Sequence, residues 1–245
     1  MAGEDINVGG EVETIGYAEA RSALAWWLAA GVDVAIQEEP RNWLKPPAPR
    51  KAARPEPVAP PNVTRPSHET LTELQEWLAS SVQLPLASTS AKRILPHGPE
   101  HAAVMLLCDA PSVEDYTAGQ PIGGEAWDLA KRMLAAIGIA ADQAYCASLS
   151  PIYAPGTRFG DAHREDHAEI ARGHVRLAKP RRLLLLGDGP ARALLGKPVA
   201  QARGQIHKVE GVRTVATFHP RHLIKRPLDK RLAWQDLLLL MEDES

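Results

Sequence analysis

Along the second half of this chain, short continuous apolar runs alternate with stretches of helical period. The runs AVMLLCDA (103–110), AYCASLS (144–150), RRLLLLGDG (181–189) and VRTVATFHP (212–220) read as strands buried on both faces. Between and after them, GGEAWDLAKRMLAAIGI (123–139), EDHAEIARGHVRLAKP (165–180), PARALLG (190–196) and KRLAWQDLLLL (230–240) read as helices. Upstream, SHETLTELQEWLASS (67–81) has a helix start, with Ser67 expected at the cap and Thr70 and Glu73 following. The alternation predicts an α/β fold: three layers, α/β/α, around a central, mostly parallel sheet of four to five strands. In such sheets a ligand binds beyond the carboxyl ends of the strands, which here are Cys108–Gly124, Ser148–Arg158 and Phe218–Arg226.

Before this domain the pattern changes. Residues 17–36 (YAEARSALAWWLAAGVDVAI) carry a stripe through Leu24, Trp27, Leu28 and Val32, expected to pack on the main domain through its tryptophans or to dock a protein partner. Residues 40–66 hold nine of the 21 prolines, which excludes a regular helix or a central strand. The expected organisation is an acidic helical extension over 1–39, a proline-rich basic linker over 40–66, and the α/β domain over 67–245.

Composition narrows the class. With 44% hydrophobic and 24% charged residues, the 245-residue chain suits a packed domain rather than a disordered tail or a membrane bundle. No stretch approaches the roughly 18 consecutive apolar residues of a spanning helix, and the acidic start does not resemble a signal peptide, so a cytoplasmic monomer is expected. The net charge of −2 conceals a split: eight acids against Arg21 in 1–39, and six bases against Glu56 in 40–66. Local patches, not the total, set the field that a nucleic acid meets.

Each strand-end segment carries candidate chemistry. Asp109 leaves the first strand just before a proline turn and a glycine-rich loop, a place for a base or an electrostatic stabiliser as well as for a turn residue. Ser148 offers a short hydroxyl, and Arg158 a phosphate contact, on a loop stiffened by Pro151 and Pro155. His219 precedes a proline, and Arg221, His222, Lys225, Arg226, Lys230 and Arg231 surround it, with Leu223 and Ile224 between them. Bases interleaved with bulky apolar side chains suit a phosphate backbone and a wedge between base steps.

Four segments then form one pattern: CDAP with QPIGG, YCASLSPIYAPGTR, LLLLGDGPARALLG, and TFHPRHLIKRP with KRLAWQDL. In this order and spacing, over roughly residues 69–240, they resemble the uracil-DNA glycosylase superfamily, nearest its family 4 type. The N-terminal helix and proline-rich linker resemble extensions found on some bacterial members. The resemblance implies an α/β/α fold, DNA as partner, and hydrolysis of the bond joining uracil to deoxyribose after the nucleotide is flipped out. It gives Asp109 the place of the family's acid in G-E-A-P-G, which stabilises the sugar cation or positions water, and His219 the place of the histidine that supports the departing base. Ala110, Ile122 and Ser148 fall where the family contacts the base; Arg158, Arg221, His222, Leu223, Lys225 and Arg226 fall where it would hold DNA.

The pattern also departs from the family at the pocket. Asp109 stands for glutamate, Ile122 for a stacking aromatic, Ser148 for a base-reading asparagine, Cys108 and Ser112 for glycines. The four cluster cysteines are missing, so no iron–sulfur cluster or other cofactor is expected. Two readings follow: a glycosylase for uracil or a related deaminated base, or a catalytically weak or inactive relative that binds DNA as a repair accessory. Smaller signals are read as structural. His163, His167 and His174 lack a metal-site signature, Gly187-Asp188-Gly189 is a packing turn, Cys108 and Cys146 are reduced core thiols, and Trp234 with Leu237–Leu240 is core.

Overall fold

A computed structural model of the chain describes residues 17–30, 68–87, 91–154 and 164–242. The linker, Ser67, Arg158 and His163 lie outside the described residues. The chain divides into two units, Met1–Pro61 and Asn62–Ser245. Within the first, α1 (Tyr17–Ala29) has Trp26 and Trp27 exposed, at 68% and 51%.

In the second unit the apolar runs form the strands β2 (Val104–Cys108), β3 (Ala144–Ser148), β5 (Arg182–Leu186) and β7 (Val212–Thr217). With β6 (Ile206–Val209) they make a five-stranded sheet in the order β3-β2-β5-β7-β6. The first four strands are parallel, and β6 pairs antiparallel with β7. The edge strand β6 was not anticipated. It arises because Glu210 and Gly211 both take positive φ (49° and 80°), the two-residue hairpin turn that suits strand twist. A separate two-stranded ribbon joins β1 (Lys92–Arg93) to β4 (Ile152–Tyr153).

Side chains alternate between the two faces, as the pleat requires. Met105, Leu107, Leu183, Leu185 and Ala216 face α2 (Leu71–Ser80), α5 (Arg164–Ala178), α6 (Asp188–Leu195) and α7 (Val199–Ala202). Val104, Leu106, Leu184, Leu186 and Val215 face α4 (Gly124–Ala136) and α9 (Lys230–Met241). Short side chains along α5 (Ala168, Ala171, Ala178) let that helix lie close to the sheet. The predicted three-layer architecture is therefore the observed one.

Three local expectations need correcting. The cap of α2 is Thr70, whose side chain accepts from Glu73 N–H while Glu73 returns the bond, a full capping box. Residues 113–118 are not loop but a helix, α3 (Val113–Ala118), capped by Ser112. Trp234 and Leu238 of α9 are exposed; Leu237 and Leu240 make the core contact.

Asp236 anchors α9 to the sheet. It is fully buried and accepts from Thr217 Oγ1 at 2.7 Å, Arg203 Nε at 3.1 Å, Arg203 Nη2 at 3.0 Å and Gly204 N–H at 3.0 Å. Removing one partner of a buried pair leaves the other charge without compensation, at a cost of about 3–5 kcal/mol. Asp236→Ala is accordingly expected to lower unfolding stability by that order. Urea denaturation at pH 7 measures it, and an unchanged midpoint would show that the cluster is dispensable.

Candidate active site

The carboxyl ends of β2, β5 and β7 lie side by side, and each delivers one part of the candidate site. Asp109 follows β2, Gly187-Asp188-Gly189 follow β5, and His219 follows β7 by two residues. The outer two strands are two strand spacings apart, about 10 Å. The middle turn touches both residues. A methyl group added at Gly187 would come within 3.5 Å of His219 Cβ, and one added at Gly189 would fall 2.5–2.6 Å from the carboxyl atoms of Asp109. Gly189 therefore has to lack a side chain for the Asp109 carboxylate to rest where it does.

Asp109 is exposed as a residue, yet its carboxyl lies against the first turn of α6. Desolvation there raises its pKa above the usual aspartate value, and the charge of Asp188 adds to the rise. The Ala110 N–H, which donates to Oδ1 at 2.9 Å, works in the opposite direction, as does His167. The acid is thus held partly dry beside solvent.

His219 is half-buried at the N-cap of α8 (Pro220–Lys225). Its Nδ1 accepts from the Arg221 backbone N–H at 3.1 Å, so in the neutral ring the proton is on Nε2, which becomes a hydrogen-bond donor. Burial, with the Arg221 charge adding to it and Asp115 opposing, lowers its pKa to about 4. At neutral pH this histidine is an uncharged donor.

Asp115 is the residue that sequence reasoning missed. On α3, only 2% exposed, it accepts from Ser112 N–H at 2.8 Å, Ser112 Oγ at 2.7 Å and Gly123 N–H at 2.7 Å. Arg221 Nη2 lies 2.9 Å from both of its oxygens, while Arg221 Nε is 3.5 Å from Glu114. The loop after β2 is thereby tied to the loop after β7. The signal was present: Ser112 and Asp115 have the spacing of a helix cap. A second tie is aromatic, with Tyr116 of α3 stacked on Tyr153 of β4 at 4.8 Å and Lys92 Nζ 4.5 Å above the Tyr116 ring.

The remaining candidates divide. Ala110 and Ser148 are at the strand ends, and Ser148 Oγ is 3.5 Å from the buried Cys108 Sγ. Ile122 is 1% exposed and packs in the core with Cys108 and Ala126, so it underlies the loop instead of presenting a face to a ligand. Lys225 and Arg226 are exposed. Arg221 is committed to Asp115 and Glu114, and His222 is bonded to Asp229 at 2.7 Å and stacked on Phe218. Leu223, 1% exposed against Leu129 and Ala233, is a packing residue here and not a surface wedge. Arg158 lies outside the described residues.

His174, buried on α5 and bonded through Nε2 to Tyr145 Oη at 2.7 Å, is depressed to about 4 by burial, like His219. Both bind protons more weakly folded than unfolded, where histidine titrates near 6.5. Stability conferred by their neutral state is complete above about pH 6.5 and is lost as pH falls toward 4. Thermal melts are expected to show a higher midpoint at pH 7 than at pH 5. His219→Asn, which keeps a capping side chain, is expected to reduce that difference; an unaltered difference would show that the ring titrates normally.

The sequence profile of the uracil DNA glycosylase superfamily matches residues 95–238, more than half of the chain. A type-4 uracil-DNA glycosylase of Archaeoglobus fulgidus is 23% identical over 172 residues, covering 65% of this chain and 85% of that protein. A type-4 uracil-DNA glycosylase of Pyrobaculum aerophilum is 22% identical over 168 residues, covering 64% of this chain and 86% of its own length. The profile match contains Asp109, Asp115, the Gly187–Gly189 turn and His219, all residues of the candidate site described above. The chain belongs to the uracil-DNA glycosylase superfamily.

Proposed function

We propose that this protein binds DNA and hydrolyses the N-glycosidic bond of uracil or a related deaminated base. The observation that supports the reading is the proximity of the Gly187–Gly189 turn to both Asp109 and His219, two chemically opposite groups. As the bond breaks, positive charge develops on the sugar and negative charge on the departing base. The Asp109 carboxylate stabilises the sugar cation or orients the attacking water. His219 Nε2–H donates to the base oxygen where the negative charge collects, and its neutral state means that no proton has to leave an imidazolium. A flipped nucleotide is the form of substrate that reaches such a site. The exposed Lys225 and Arg226 supply phosphate contacts.

No cofactor takes part in this reading. A four-cysteine cluster has no donor set in a chain with two cysteines, and Cys108 and Cys146 are sheet residues whose thiols burial pushes up to about 12. The second reading, a DNA-binding relative without efficient turnover, is favoured by the burial of Ile122, which leaves the base without the side chain that the resemblance assigned to its face.

A panel of uracil, hypoxanthine and xanthine oligonucleotides, single- and double-stranded, decides between the two. Asp109→Asn and His219→Ala are each expected to cut excision about 10²–10³-fold, the usual effect of deleting one preorganised group. The absence of abasic product with wild-type protein in excess, on every substrate, leaves only the binding reading. Gly189→Ala tests the geometry separately. Its methyl displaces the Asp109 carboxylate, so excision is expected to fall, on the order of 10²-fold for a shift near 1 Å, while the melting curve stays near wild type. Full activity in this variant would mean that the observed carboxylate position is not the working one.

A further inference from the structure

The loop after β2 and the ribbon after β3 meet in a side-chain cluster that the chemistry at Asp109 and His219 does not use. Tyr116 of α3 stacks on Tyr153 of β4, with ring centroids 4.8 Å apart and planes 9° from parallel, and Lys92 Nζ lies 4.5 Å from the Tyr116 centroid. Lys92 and Tyr153 are direct partners in the β1–β4 pairing, so both side chains rise from the same face of the ribbon. Tyr116 lies across them, and they take one face of its ring. The residue is nonetheless 36% exposed, which leaves the other face to solvent.

A tie between two loops needs only the inner face of Tyr116. The outer face is set in surroundings that suit a nucleic acid. Val113 stands three residues before Tyr116 on the same side of α3 and is 61% exposed, so an apolar strip runs from the turn after Asp109 to the tyrosine. Lys92 is exposed, and no carboxylate among the described residues pairs with it. The strand order β3-β2-β5-β7 places the cluster beside Asp109, on the side away from His219 and the exposed Lys225 and Arg226. A polynucleotide laid across the strand ends, from those two cations to Asp109, continues onto Tyr116.

We propose that Tyr116, backed by Tyr153 and Lys92, is a stacking platform for an unpaired base next to the target nucleotide in single-stranded DNA. The proposal rests on the proposed function and adds to it a subsite outside the reacting groups. An aromatic face accepts any base, because every base has a π-face, and the lysine beside it holds the neighbouring phosphate. A base in a duplex is already stacked on its neighbours, so the platform contributes to single strands.

Fluorescence anisotropy with dye-labelled, single-stranded uracil oligonucleotides tests this without turnover, in full-length Asp109→Asn protein. Each of the two nucleotides on either side of uracil is replaced in turn by a tetrahydrofuran abasic residue, which keeps the phosphate and removes the base. Removal at one of these positions is expected to weaken binding about tenfold. Adding Tyr116→Leu, which retains an apolar cover over Tyr153, is expected to weaken binding to the intact oligonucleotide by a similar factor. That variant is expected to be indifferent to the base at that position and to bind duplex as its parent does. Tyr116→Phe is expected to match the parent, and Lys92→Ala to lower the salt dependence of binding. Coupling to a single abasic position is the readout, and a general loosening of α3 does not mimic it. Unchanged binding in Tyr116→Leu, losses that multiply independently at all four positions, or an equal loss on duplex overturns the proposal and leaves the ring as a tie between loops. If wild type binds DNA but releases no base, the glycosylase reading fails and the coupling still decides the platform. Absence of DNA binding ends both.

Discussion

The contact between Arg221 and Asp115 ties the loop after β2 to the loop after β7. Asp115 is buried, and a buried carboxylate needs its lone pairs filled. Here two backbone N–H groups, a serine hydroxyl and a guanidinium fill them. Three of those donors come from the loop that begins at Asp109, and the fourth comes from the helix that His219 caps. One carboxylate thus fixes the distance between two loops that share no backbone hydrogen-bond ladder. Because Arg221 is spent in this way, and its backbone N–H on the imidazole, the same residue also sets the histidine tautomer. A shift of Arg221 would be felt at both ends of the site.

Electrostatic tuning follows from the same arrangement. The loops cover the strand ends closely enough to desolvate both functional groups, and desolvation acts in opposite senses on an acid and a base. Asp109 is pushed up and His219 down. Under the proposed function, two groups whose charges the surroundings disfavour respond strongly to charge that appears between them. The shorter arm of aspartate is matched by the missing side chain of Gly189, which lets the first turn of α6 approach the carboxylate.

Much of this was legible before the structure. The strands were visible as uninterrupted apolar runs, because a parallel sheet covered on both faces demands apolar residues at every position, and the strand ends then located Asp109, Ser148 and His219. What was hidden depended on partners distant in sequence. Asp115 reads as one more surface acid until Arg221, 106 residues away, is beside it. The strand β6 is short, half polar and paired on one side only, so its pattern is weak; the Glu210-Gly211 turn was the sole strong sign of it. Trp234 has the residue type of a core position, but α9 turns toward the sheet the face that carries Asp236, Leu237 and Leu240.

The basic loop shows most directly why composition and role part company. In PRHLIK the helix has six residues and one face available to the core. Leu223 takes that face, four residues after His219, because a residue one turn on from the cap points back against α4. Lys225 and Arg226 then fall toward solvent, with no further choice left to them. Once α8 ends at Lys225 the chain no longer has an inner face, and Leu228 in the following turn is 91% exposed. The place where the helix stops, more than the presence of leucines among bases, decides which side chain is free to leave the protein.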